Sequence, residues 1–149
     1  MTTASEPALG GVLDGGVHRM TVRVYYEDTD FTGLVYHASY VRFFERGRTE
    51  FLRALDLGHA ALLARPDPCA FAVTRLDVRF LKAARIDDLV VVTTAWRAFK
   101  GARMQIGQRI DRAGEPIAEA EVEAVCIDAR GAARRPPADL VARLRPFLA

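Results

Sequence analysis

From Ala38 to Leu55, apolar residues recur at steps of three and four. Tyr40, Phe44, Gly47, Phe51 and Leu55 share one helical face, while Arg42, Arg46, Glu50 and Arg53 take the wet side. No other stretch of the chain carries so long a helical period; the remaining patterned runs alternate with period two. One amphipathic helix among alternating strands must bury its apolar face on a sheet. The expected fold is therefore α+β, an antiparallel sheet wrapped around one long central helix. Gly47 lies on the packed face, where it costs about 1 kcal/mol of helix propensity against alanine, and so predicts a close approach of helix to sheet. Ser39 is a candidate N-cap. Glu45 and Arg48, on the edge of the apolar stripe, are placed to pair with each other or to act across a subunit contact.

Ahead of the helix, Met20, Val22, Val24 and Tyr26 alternate with Thr21, Arg23 and Tyr25, a half-buried strand. Asp28, Thr29 and Asp30 end it, and Gly33 permits a positive φ. After the helix, Asp56 to Pro68 reads as a loop with one helical turn. Phe71 and Val73 then share one phase and Leu76, Val78 and Phe80 the other, which predicts a bulge near Thr74-Arg75. Strands follow over Leu89–Phe99, Met104–Ile110 and Ala118–Cys126, with turns at Ile86-Asp87-Asp88, Lys100-Gly101 and Asp111-Arg112-Ala113-Gly114. Small residues at Ala118, Ala120, Ala124 and Cys126 predict that something bulky lies against the inner face of the last strand. Pro136-Pro137 can open a short helix docked by Leu140, Leu144 and Phe147. Residues 1–18, with Gly10-Gly11 and Gly15-Gly16, read as a flexible tail ahead of one domain over 19–149.

With 149 residues, half of them hydrophobic, one domain can hold a real core. A net charge of +2 fits neither a nucleic-acid polycation nor an acidic tail. No apolar run reaches a membrane span and the start lacks a signal-peptide pattern, so the expected location is the cytoplasm. Cys69 and Cys126 sit in strand contexts as small core residues. His18, His37 and His59 have no metal-ligand spacing, so no metal is expected. The chain contains no nucleophile elbow, no dinucleotide-binding glycine pattern and no zincin motif.

Asp28, Asp30 and His37 converge on the corner between strand and helix. Carboxylates in that position commonly cap the helix or solvate the turn, and a histidine commonly makes structural hydrogen bonds. The same corner can also set a carboxylate beside helix N–H groups that favour negative charge, which suits acyl-transfer chemistry.

The run Tyr25-Tyr26-Glu27-Asp28-Thr29-Asp30-x-x-Gly33-x-Val35-Tyr36-His37-x-x-Tyr40-x-x-x-Phe44-Glu45-x-x-Arg48-Thr49-Glu50 closely resembles the signature of hotdog-fold acyl-CoA thioesterases. Within them it is most similar to the YbgC-type, Tol-Pal-associated branch of the 4-hydroxybenzoyl-CoA thioesterase family. The resemblance runs from about Thr21 to Pro136, through Ala84-Arg85-Ile86-Asp87-Asp88, Gln108-Arg109-Ile110 and Val125-Cys126-Ile127-Asp128. It implies a hotdog domain that forms homodimers and homotetramers, with the active site at the dimer interface. It implies Asp30 as catalytic carboxylate, the His37 N–H as donor to the thioester carbonyl, and the His37 side chain as an assistant. It further implies Gly33 in the loop that lets substrate approach; Tyr36, Phe31 and Thr32 beside it are candidate substrate contacts, the last two reshaping the acyl pocket. The sequence departs from the pattern at Phe31-Thr32, where smaller residues are usual, at Ala83, and at Ala102-Arg103.

The resulting expectation is hydrolysis of acyl-CoA, or acyl-carrier-protein, thioesters. Asp30 would attack the carbonyl or activate a water. Coenzyme A is then part of the substrate and no separate cofactor is expected. Lys82, Arg85, Lys100, Arg103, Arg134 and Arg135 form a candidate basic rim for its phosphates, Lys100 and Arg103 foremost. The competing readings are a catalytically silent acyl-thioester binding module and a hotdog dehydratase acting on 3-hydroxyacyl thioesters.

Overall fold

The structure, a computed structural model, describes residues 9–149. In chain order the elements are β1 (Val12–Asp14), β2 (Val17–Arg23), α1 (His37–Ala54), α2 (His59–Leu63), β3 (Ala70–Phe80), β4 (Leu89–Lys100), β5 (Arg103–Arg112), β6 (Glu115–Ile127) and α3 (Ala138–Leu144). The strands form one antiparallel six-stranded sheet in the order β1-β2-β4-β5-β6-β3. The α+β architecture expected from one amphipathic helix among period-two runs is the one observed.

Helix α1 buries Tyr40, Phe43, Phe44, Phe51 and Leu52 against the sheet. A Cβ on Gly47 would lie 2.6 Å from Thr94 Oγ1 and 2.8 Å from Val92 Cγ1, so the expected close approach is real and only glycine fits it. A polar tie secures the contact. Gln108 Nε2 donates to the Phe44 carbonyl at 2.7 Å and to Thr94 Oγ1 at 2.9 Å, while Arg48 Nη1 donates to Gln108 Oε1 at 2.9 Å. Arg48 therefore serves the helix–sheet contact rather than pairing with Glu45, which takes the Thr49 hydroxyl instead. On β6 the small residues Ala118, Ala120, Ala124 and Cys126 are buried. The β3 register slips between Val73 and Arg75, at the expected bulge.

Three boundaries differ from expectation. Residues 1–8 of the expected tail lie outside the described residues, but Val12–Asp14 is a strand and β2 already begins at Val17. Gly15 (φ 58°) and Gly16 (φ 82°) form the two-residue turn between Asp14 and Val17, whose backbone twist suits a hairpin. His18 is fully buried there, its Nε2 2.6 Å from the Gly10 carbonyl oxygen. Tyr26 does not continue the buried face of β2; it opens a single 3-10 turn and is 83% exposed. Ser39 is not the helix cap. It is buried in the first turn of α1, and the cap position is Tyr36.

Strand β3 lies on the sheet edge, and Val73, Leu76 and Phe80 along it are exposed. Among the described residues no helix is long and apolar enough to cross a membrane.

Candidate active site

The two aspartates before α1 have separate jobs. Asp28 is buried, and its Oδ2 accepts the Tyr25 N–H at 2.8 Å, closing the 3-10 turn. Its carbonyl accepts the Tyr36 N–H at 2.9 Å, which fixes the approach to the helix. Asp30 is exposed at the tip of a tight loop. The Gly33 N–H donates to the Asp30 carbonyl at 3.0 Å and the Asp30 N–H to the Leu34 carbonyl at 3.1 Å. Gly33 closes this loop at φ 81°, where a side chain is strained. The loop is anchored outside by bridges from Thr29 to Val35 and from Leu34 to Arg85.

On the carboxylate itself, Oδ1 accepts the Thr32 N–H at 2.9 Å and the Thr32 hydroxyl at 2.5 Å. The Thr32 hydroxyl bond, then the Thr32 N–H, hold the Asp30 carboxyl below its ordinary value of 3.8, with a smaller contribution from His37. Asp30 is thus a carboxylate throughout the neutral range.

Helix α1 starts at His37, directly after this loop. The Ser39 N–H turns back to the Tyr36 carbonyl at 2.8 Å. The first-turn N–H groups of His37 and Ala38 have no acceptor among the described residues, and such orphan donors with the helix dipole favour a developing negative charge. The His37 ring is exposed and tilted against Tyr36, with centroids 4.5 Å apart, and meets the edge of Phe80 at 6.3 Å. Tyr40 packs on Phe80 at 5.6 Å, and its hydroxyl accepts the Ala84 N–H at 2.9 Å. Phe31, Tyr36 and Phe80 remain exposed, Phe31 completely, so aromatic surface borders the loop and the helix start at His37.

Asp30, Phe31, Thr32, Gly33, Tyr36 and His37 are therefore brought together. Lys100 and Arg103 are not. The Asp30 loop is bridged to Arg85, just before β4 begins, whereas Lys100 ends β4 and pairs with Arg103. A twelve-residue strand separates them, roughly 35 Å at the usual rise. Phe80, in sequence only the last apolar position of an alternating run, also borders the helix start through its contacts with His37 and Tyr40. Three cavities, of about 580, 260 and 480 Å³, are lined by neither Asp30 nor His37. Cys126 is no rival nucleophile, since burial pushes its thiol up to about 11.

Residues 24–144 match the profile of a family described as the thioesterase-like superfamily. The chain belongs to this superfamily. The match spans the Asp30 loop, α1 and the whole of β3 to β6. Within the superfamily the chain is 44% identical over 117 residues to the acyl-CoA thioesterase YbgC of Haemophilus influenzae, covering 78% of this chain and 85% of the relative. It is 45% identical over 111 residues to the acyl-CoA thioester hydrolase YbgC of Escherichia coli O6:H1, covering 74% and 81%. A crystal structure of a probable thioesterase from Bartonella henselae superposes with a TM-score of 0.79 at 37% identity, covering 81% of this chain and 99% of that one. The six-stranded sheet around α1 is accordingly the hotdog fold of these thioesterases.

Proposed function

We propose that this protein hydrolyses acyl-CoA thioesters, with Asp30 as the catalytic carboxylate and the start of α1 as the oxyanion site. The observation that carries the reading is the pairing of an exposed, ionised carboxylate with unpaired N–H donors at the adjacent helix start. The YbgC relatives, named as acyl-CoA thioester hydrolases, support the substrate class. The thioester carbonyl accepts the His37 N–H, and one such donor contributes roughly 3 kcal/mol to the transition state. Asp30 acts from the other side. As a nucleophile it forms a mixed anhydride, expelling the thiolate, and water then cleaves the anhydride to the free acid. As a general base it takes a proton from water, which adds to the carbonyl before the thiolate leaves. Either route ends with the same acid and thiol. A thiolate is a good leaving group, so no strong general acid is required.

A second copy of the chain supplies the walls that one chain lacks. Strand β3 is a long exposed edge with Val73, Leu76 and Phe80 uncovered, an arrangement that invites strand pairing. Antiparallel pairing of two β3 edges about a two-fold axis sets the Phe80 end of one beside the Ala70 end of the other. In each chain that second end carries Cys126, whose N–H bonds the Ala102 carbonyl, together with Arg103 and Arg134. The rim expected from Lys100 and Arg103 then serves the Asp30 of the other subunit, which reconciles their distance within one chain.

Thiol release followed with a chromogenic disulfide, together with product analysis, tests the proposal. Equal amounts of free acid and coenzyme A from acyl-CoA are the expected result. Loss of water from a 3-hydroxyacyl thioester without thiol release, or binding without turnover, would replace it with the dehydratase or the silent module. Running acyl-carrier-protein thioesters beside acyl-CoA esters separates the two carriers.

A further inference from the structure

We propose that Thr32 is a positioning residue whose hydroxyl locks the Asp30 carboxylate through Oδ1 and leaves Oδ2 to meet the substrate. This rests on the reading of Asp30 as the catalytic carboxylate. The Thr32 hydroxyl is held from both sides: it accepts the Leu34 N–H at 3.3 Å and donates to Asp30 Oδ1 at 2.5 Å. The Thr32 N–H reaches the same oxygen at 2.9 Å. Neither of these bonds involves Oδ2.

A carboxylate on an exposed loop ordinarily rotates about two side-chain torsions. Two donors on one of its oxygens remove that freedom, and they originate in a single residue two positions along the chain. Any residue except proline could supply the backbone N–H; only a β-hydroxyl supplies the second donor. Threonine adds a β-branch, which restricts χ1. The restraint does not end in the loop. Leu34, which donates to the hydroxyl, is bridged to Arg85 and so to the ordered segment leading into β4. Orientation of Asp30 is thereby referred to the sheet rather than left to a mobile tip. The lowering of the Asp30 carboxyl, caused first by the Thr32 hydroxyl, agrees with this geometry. Beside its place as a candidate substrate contact, Thr32 directs its own donors to the neighbouring carboxylate.

The test compares Thr32→Val, which keeps the shape and loses the hydroxyl, with Thr32→Ser, which keeps the hydroxyl. Because Thr32 is exposed, both should melt like the parent protein. Two quantities are read: kcat and KM for acyl-CoA thiol release, and the titration midpoint of the Asp30 carboxyl by carbon NMR. Thr32→Val is expected to lower kcat about tenfold with KM within about twofold, since misorientation of a reacting group acts on turnover. Its Asp30 midpoint is expected to rise, and Thr32→Ser to recover both readouts. An unchanged kcat and midpoint in Thr32→Val would overturn the proposal, and so would a Thr32→Ser variant as impaired as Thr32→Val, because a merely pocket-lining side chain would behave that way. Asp30→Asn run alongside separates the levels. If it keeps turnover, the catalytic reading of Asp30 fails; if it is inactive while Thr32→Val is fully active, only the role of Thr32 fails.

Discussion

The Tyr40 hydroxyl accepts the Ala84 N–H at 2.9 Å, both residues being buried. Ala84 in turn accepts the Val35 N–H at 2.9 Å, so one side chain of α1 fixes the segment on which the Asp30 loop leans. Tyr40→Phe keeps the ring against Phe80 and strands a buried N–H. The expected loss is about 1–3 kcal/mol, read from urea denaturation, with reduced turnover as the loop loses its support.

Pairing of two β3 edges makes a separate prediction about assembly. Leu76 is 38% exposed on that edge, and Leu76→Glu would set two carboxylates near each other across a two-fold axis. Light scattering after size exclusion should show the parent chain as a dimer or a multiple of it, and the variant shifted toward the monomer. Thiol release should fall with the dimer, because the site lacks walls within one chain. A fully active Leu76→Glu monomer would contradict the shared site.

Acid stability should depend on Asp88. Its Oδ2 accepts the Arg85 N–H at 2.8 Å and Arg112 Nη1 at 3.1 Å. These partners, the Arg85 N–H foremost, hold its carboxyl below the ordinary 3.8. On acidification the unfolded chain therefore takes up this proton before the folded one does. The stability contributed is complete above about pH 4–5 and is lost as pH falls through the lower folded midpoint. Asp88→Asn should lower stability at pH 7 and flatten the acid limb of the stability profile. An unaltered limb in urea titrations from pH 2 to 7 would contradict this, the range being about that of ordinary carboxylate titration.

Much of the architecture was legible because its determinants are local. Gly47 on an apolar face foretold the contact that its missing Cβ permits with Thr94 and Val92. The phase slip at Thr74-Arg75 foretold the bulge. The β1–β2 hairpin was missed for an equally local reason. Gly15-Gly16 in a run of small residues reads as part of a flexible tail, yet two positive-φ glycines between Asp14 and Val17 are also what a tight hairpin turn requires. The core of the site was legible too, since Asp30, Gly33 and His37 lie within one short run. Spacing alone could not divide the labour of Asp28 and Asp30. That division depends on which carboxylate folds back to the Tyr25 N–H, a matter of a few torsions. Lys100 and Arg103 read as part of a basic rim for the coenzyme A phosphates, from their charge and their place at a turn. Their distance from the Asp30 loop follows from the direction and length of β4, which runs from beside the loop's bridge at Arg85 away to Lys100.

The central claim separates two carboxylates only two residues apart, and one paired measurement tests it directly. Thiol release and denaturation midpoint are compared for Asp28→Ala and Asp30→Asn. Asp28→Ala removes the acceptor of the Tyr25 N–H and should cost about 1 kcal/mol of stability, as loss of a capping side chain does, while retaining measurable turnover. Asp30→Asn should stay close to the parent midpoint, because the position is exposed and an amide oxygen can still accept from Thr32, and lose at least about a thousandfold in thiol release, the scale seen when a catalytic group is removed. Near-normal hydrolysis by Asp30→Asn would contradict the account.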